Sequence, residues 1–302
     1  MSSSLYDAAI VGGGPAGLSA ALTLGRAGRR VVLFDDGQPR NGPSSHAHGF
    51  LTRDGVPPDE LRRLGREEVG RYGVEVRATR VVDASQADSA FRLTVGDGPP
   101  MEARVLLLAT GVVDELPEIE GLAEAWGATV VHCPYCHGHE HRGEPTAVLG
   151  RGDDTYNLAR LLLGWTDDVV VVTNGPEELD AGQEKRLARE GIRIVRTPIA
   201  RLRVRDRQLE AIEFEDGAAL ARRVLYVQPP QRQASPLAER LGAVLTDKGV
   251  VEVDEDGRTA VKGLFVIGDA ADGPQDLASS VAEGLRAGIA ANHDLVVGPP
   301  KG

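Results

Sequence analysis

The chain has 302 residues, enough for two domains of ordinary size. It is 41% hydrophobic and 26% charged, a globular balance that excludes a disordered chain. A net charge of −11 argues against nucleic acid or an anionic membrane surface as the main partner.

The opening stretch has no basic n-region and runs straight into a strand, so no signal peptide is expected. The longest apolar run, residues 105–113, is broken by Thr110 and Gly111 and is far shorter than the ~20 residues of a membrane helix. Ala8-Ala9-Ile10-Val11 is a buried-strand signal leading into Gly12-Gly13-Gly14-Pro15-Ala16-Gly17 and a helical run over 18–26. Gly12, Gly14 and Gly17 complete GxGxxG between strand and helix. The first glycine makes the tight turn, the second admits a pyrophosphate, and the third lets the helix pack on the strand. A second strand over 30–34 ends at Asp35, which is 35 − 17 = 18 positions after the last glycine. An acid there accepts from a ribose hydroxyl.

Residues 39–49, with His46 and His48, read as a loop; His48, beside Phe50, could face a cofactor ring but reads as a solvated loop histidine. Residues 61–71 read as an amphipathic helix whose mixed charges form a solvated face. Residues 74–77, 79–82 and 91–95 alternate as strands, with turns at Asp97-Gly98 and Pro99-Pro100. Residues 105–111 form a buried strand that ends in the turn at Thr110-Gly111, and residues 116–121 look like a linker into a second domain.

That domain opens with Cys133-Pro134-Tyr135-Cys136-His137-Gly138, which holds both cysteines of the chain. Two cysteines at this spacing can close and reopen a small disulfide, with the thiolate as the reactive form. One local pair and no further cysteine is not a disulfide framework. It fits a redox pair in a reducing, cytoplasmic compartment. Zinc is the main alternative, with two ligands drawn from His132, His137, His139 and His141, but finger histidines normally lie well downstream of their cysteines. His139 and His141 read as solvent-facing.

A second strand–loop–helix unit then repeats the first at an offset of 150 − 12 = 138. Gly12 maps to Gly150 and Gly14 to Gly152, but Gly17 maps to Thr155 and Asp35 to Thr173. No acid is left to hold a ribose, and the following Glu177-Glu178 adds negative charge where a phosphate would need a cation. The fold is expected to persist while NADPH or NADH binding is disfavoured; Arg151 reads as exposed. Strands over 192–195, 199–204, 209–214 and 224–227 follow, with a linker at 228–232 and a short strand at 250–253. Gly263 to Ile267 form a strand reaching Gly268-Asp269, and a helix spans about 276–295. An acid at this strand end suits a polyhydroxyl chain, and the helix dipole suits negative charge on a bound ring.

These motifs, in this order over essentially the whole chain, resemble the low-molecular-weight thioredoxin reductases, FAD-dependent disulfide oxidoreductases. The resemblance rests on Gly12 to Gly17, Ala109-Thr110-Gly111, Cys133-Pro134-Tyr135-Cys136 and Gly268-Asp269. It implies an α/β protein of two Rossmann-like, three-layer domains, the second inserted into the first. The FAD domain would comprise 1–115 and 229–302, and an NAD(P)H-type domain carrying the cysteines 116–228. FAD would lie on Gly12, Gly14, Pro15, Ala16, Gly17, Asp35, Thr110, Gly111, Gly268 and Asp269. Cys136 would be the flavin-facing thiolate, Cys133 the exchanging thiol, and the assembly a homodimer. Where the reductases carry an aspartate after the second cysteine this chain has His137, whose ordinary pKa of ~6.5 suits acid/base work. The reductases' flavin-contacting arginine–glutamine pair appears as Asp276 and Leu277, and their arginine-rich phosphate motif is missing. In these respects the chain is similar to reductase-like dithiol oxidases, which close disulfides in small molecules and reduce oxygen, and to variants fed by ferredoxin or another donor. Three classes follow: a reductase of a thioredoxin-like protein, fed by NAD(P)H or by another donor, an oxygen-using oxidase of a small-molecule dithiol, and a flavin redox sensor without turnover.

Overall fold

The computed structural model describes residues 5–87, 90–96, 98–176 and 179–298. Glu177, Glu178 and Asp97 lie outside them. Two compact units are formed, one by 1–40, 58–114 and 231–302, the other by 41–57 and 115–230. The second unit therefore includes 41–57, which the sequence reading leaves with the first. Within that unit an Ala47–Val56 bridge closes the segment, and Arg207 Nη2 donates to Pro43 O at 2.6 Å.

The first unit begins with β1 (Tyr6–Val11), α1 (Pro15–Arg26) and β2 (Val31–Phe34), then α2 (Pro58–Gly70) and β3 (Glu75–Arg77). A meander follows, β4 (Val81–Ala87), β5 (Ala90–Val95) and β6 (Met101–Leu108), and β7 (Val112–Asp114) ends the segment. β3, β2, β1 and β6 are hydrogen-bonded in that order, with β1 parallel to both β2 and β6. Their apolar runs reflect burial on both faces. Ala8, Ile10, Leu33 and Leu107 pack on the helical side, while Ala9, Val11, Phe34 and Leu108 join the opposite core.

The second unit contains α3 (Leu122–Ala125), β8 (Val130–Val131), α4 (Pro134–His137), β9 (Thr146–Leu149), α5 (Gly152–Leu162), β10 (Val169–Val172), α6 (Ala181–Arg189) and β11 (Arg193–Val195). An antiparallel sheet, β12 (Ile199–Arg205), β13 (Gln208–Phe214) and β14 (Ala219–Ala221), precedes β15 (Val224–Val227). The parallel sheet runs β11-β10-β9-β15-β8, and its residues again alternate between two cores, with Val148 and Val171 in one and Leu149 and Val172 in the other.

The chain re-enters the first unit with β16 (Gln231–Gln233), antiparallel to β7, then α7 (Leu237–Arg240), β17 (Leu264–Val266) beside β6, and α8 (Leu277–Val296). β16 thus replaces part of the expected linker at 228–232. The strand expected at 250–253 is not formed, because pairing there is limited to isolated bridges from Val251 to Leu245 and Ala271. Among the described residues no helix is long and apolar enough to cross a membrane.

Candidate active site

The first glycine loop leaves β1 under steric compulsion. Gly12 has φ +112°, and a Cβ there would sit 2.1 Å from Ala109 O; a Cβ on Gly17 would sit 2.0 Å from Gly12 O. Neither position accepts a side chain without moving backbone, so α1 is held hard against β1. Gly14 is different. It caps α1 in an extended conformation, Pro15 opens the helix, and nothing lies within 4 Å of its added Cβ. The loop therefore offers open space at the positive end of a 12-residue helix, where a phosphate is stabilised.

Asp35 stands at the end of β2. Its carboxylate accepts from Arg62 Nη2 at 2.6 Å and from Gly37 N at 3.2 Å. Arg62 corrects the reading of α2 as carrying only solvated charge. It is 8% exposed and turned inward, and its buried Nε has no hydrogen-bond partner among the described residues. At the end of β17, the turn Gly268–Ala270 holds Asp269, which accepts from Arg40 Nη1 at 2.8 Å. Gly268 N donates to Glu283 Oε2 at 2.8 Å; burial raises the pKa of that carboxyl. Gly111 adopts φ +68° after Thr110, and its carbonyl accepts from Ala234 N at 3.0 Å. Asp276 caps α8, accepting from Ser279 N at 2.8 Å.

In the second unit Cys133 and Cys136 form a disulfide with a Cα–Cα distance of 5.3 Å, so both sulfurs are committed to each other. Pro134 starts the one-turn α4 between them. Tyr135 projects into solvent and rests edge-on against Trp165, with ring centroids 5.6 Å apart. His137 follows directly, with its Nδ1 buried and unpartnered among the described residues. Burial, reinforced by His132 and His141, lowers its pKa to about 4, so the ring is neutral at pH 7. His139 is exposed. His141 instead pairs with Glu144 at 3.0 Å and faces Ala128 O at 3.3 Å. His48 is half-buried, 3.6 Å from both Asp54 and Glu140, and not the solvated loop histidine expected.

The second glycine loop is tied to the turn after β10 by its own side chains. Arg151 is exposed, as the sequence suggests, and its guanidinium is engaged: Nε donates to Thr173 O at 3.0 Å and Nη2 to Asn174 O at 2.8 Å. Thr155 Oγ1 donates to Arg151 O at 3.1 Å, and the Thr173 hydroxyl donates to Gly175 O.

A sequence profile described as pyridine nucleotide-disulphide oxidoreductase matches residues 6–284. The chain belongs to that family. Thioredoxin reductase sirT from Leptosphaeria maculans is 33% identical, the match covering 97% of this chain and 95% of the relative. Thioredoxin reductase tcpT from Claviceps purpurea is 34% identical over the same shares. The crystal structure of the oxidoreductase from Agrobacterium tumefaciens superposes with a TM-score of 0.90 at 36% identity, covering 96% of this chain and 98% of the other. The two-Rossmann-domain fold and an FAD-dependent, thioredoxin reductase-like disulfide oxidoreductase are thereby established. The first unit fits such a cofactor: the space above Gly14 admits a pyrophosphate, and the orphaned Arg62 Nε beside Asp35 leaves a buried donor for a ligand to satisfy. Arg40 and Arg62 are the site residues that sequence reasoning misses. Each meets a carboxylate far away in the chain, and no local pattern marks either one.

Proposed function

We propose that this oxidoreductase exchanges two electrons between FAD and a substrate dithiol or disulfide through Cys133 and Cys136, without NADPH or NADH as the feeding donor. Independence from a nicotinamide donor rests on the contrast between the two strand ends. β2 ends in a carboxylate held ready by Arg62, whereas the end of β10 is spanned by Arg151 and has no acid. FAD would be held by Gly12, Gly14, Pro15, Ala16 and Gly17 at the pyrophosphate, Asp35 at the ribose and Asp269 at the polyhydroxyl chain, with Thr110, Gly111 and Gly268 completing the site. When bound it supplies a two-electron donor or acceptor.

The rest of the chemistry belongs to the chain. A substrate thiolate attacks the Cys133 sulfur and expels Cys136 as a thiolate. The substrate's second thiolate then attacks the mixed disulfide and frees Cys133, leaving the substrate oxidised and the protein pair reduced by two electrons. His137, adjacent to Cys136, is the acid/base group: burial keeps its ring neutral and weakly basic in the disulfide form, and the Cys136 thiolate released on reduction favours its protonation. The partner is a small-molecule dithiol or a thioredoxin-like protein, the latter in keeping with the names of sirT and tcpT. Oxygen is the proposed final acceptor in the oxidising direction; the reverse direction needs ferredoxin or another donor. Leu285 and Ile289, 48% and 57% exposed and one turn apart on α8, support a homodimer. Use of both cysteines in one local pair fits the cytoplasm.

A Cys133→Ser/Cys136→Ser double variant tests the assignment. It is expected to keep its yellow FAD and lose all turnover with dithiols and disulfides. Undiminished turnover would overturn it.

A further inference from the structure

The chain passes between its two units at 40/41, 57/58, 114/115 and 230/231. Three of the first-unit residues at these crossings, Arg40, Asp114 and Gln231, are joined in one polar cluster. The Arg40 guanidinium forks onto Asp114, with Nε to Oδ2 and Nη2 to Oδ1 both at 2.8 Å. Its remaining nitrogen, Nη1, donates to Asp269 Oδ2 at 2.8 Å and to Gln275 Oε1 at 2.7 Å. Gln231 Nε2 donates to Asp114 Oδ1 at 3.0 Å, and Gln275 Nε2 returns a bond to Gln231 Oε1 at 2.9 Å. The side chains of Arg40 and Asp114 are only 16% and 6% exposed. Burial opposes the arginine's charge, yet the two carboxylates raise its pKa. One cation therefore serves two carboxylates, and a planar fork on one of them fixes the direction from which it meets the other.

We propose that Arg40 is a positioning residue of the flavin site. It fixes one oxygen of Asp269 so that the other, Oδ1, faces the cofactor's polyhydroxyl chain. Through Asp114 it also ties that carboxylate to β7 and β16, the strands by which the chain leaves and re-enters the unit. Without Arg40 the two carboxylates lose their common cation, and Asp269 swings away from Asp114. This rests on Asp269 as an FAD ligand, and the test separates the two claims. FAD affinity is measured by flavin fluorescence on reconstituted protein for Asp269→Asn, Arg40→Met and the double variant, with the visible flavin spectrum recorded for each. Both single variants are expected to weaken binding by about tenfold or more, and the double variant to be no weaker than Asp269→Asn alone. Arg40→Lys, which keeps the charge and loses the fork, is expected to recover part of the affinity and the native flavin band shape; it also serves where Arg40→Met does not fold. Additive losses, or an unaltered affinity in both Arg40 variants while Asp269→Asn binds poorly, would overturn the proposal and leave Asp269 as a ligand. Unaltered binding by Asp269→Asn would overturn the ligand assignment and the proposal with it.

Discussion

Gly14→Ala separates ligand binding from folding at the first glycine loop. The new methyl meets nothing within 4 Å and the backbone is already extended, so the only structural loss is a poorer helix cap. That costs the fold about 1 kcal/mol or less. The same methyl, however, stands where a pyrophosphate must approach the helix N-terminus. Losing one or two charge-assisted hydrogen bonds there, at about 1.5–3 kcal/mol each, weakens FAD by at least about tenfold. Gly17→Ala is the contrasting control. Its Cβ would lie 2.0 Å from Gly12 O, so α1 has to move, and the apoprotein should lose about 1–3 kcal/mol from overpacking. Thermal melting of the apoproteins and fluorescence titration with FAD report the two effects separately. Native FAD affinity in Gly14→Ala would refute a pyrophosphate at this loop.

Cys136→Ser, offered the substrate as its disulfide, should trap a stable mixed disulfide: the Cys133 thiolate bonds one substrate sulfur and the other is released as a thiol, read as added intact mass; trapping only in Cys133→Ser would reverse the two roles. Arg62→Met leaves Asp35 only the Gly37 N–H and Arg66 Nη1 at 3.8 Å, and should cost about 1–3 kcal/mol in a thermal melt, with weaker FAD binding. The folded-state pKa of His137, about 4, lies below its ordinary 6.5, so between those values the unfolded chain binds the proton that the folded chain refuses. Stability is therefore full above pH 6.5 and falls as pH drops toward 4, by up to about 3 kcal/mol. His137→Gln should flatten that limb in denaturant titrations, and an unchanged limb would show that the ring is not buried neutral.

The local signals in the sequence translate directly into structure. The spacing from Gly12 to Gly17, the strand ending at Asp35 and the cysteine pair are each set by neighbours a few residues apart, as are the turns that carry them. The capping box of α6, Asp180 with Gln183, was equally readable and marks a helix absent from the sequence reading. Other features depend on distant partners. Arg40 meets Asp114 and Asp269 at separations of 74 and 229 residues, and Arg62 looks like any surface arginine until β2 brings Asp35 beneath it. Residues 250–253 alternate as a strand should, yet only Val251 finds bridge partners. The fate of Arg151 was also invisible, because the carbonyls it captures belong to the turn after β10.

The most direct test of electron exchange between dithiol and flavin without a nicotinamide donor is an anaerobic titration followed near the ~450 nm flavin band. NADPH, NADH and a small dithiol are added in turn to the same holoenzyme. Bleaching by the dithiol alone, lost in the Cys133→Ser/Cys136→Ser variant and reversed with peroxide on admitting air, is the predicted result. Rapid stoichiometric bleaching by NADPH or NADH would contradict it and show that the second glycine loop, despite Arg151 and Thr173, still receives a nicotinamide nucleotide.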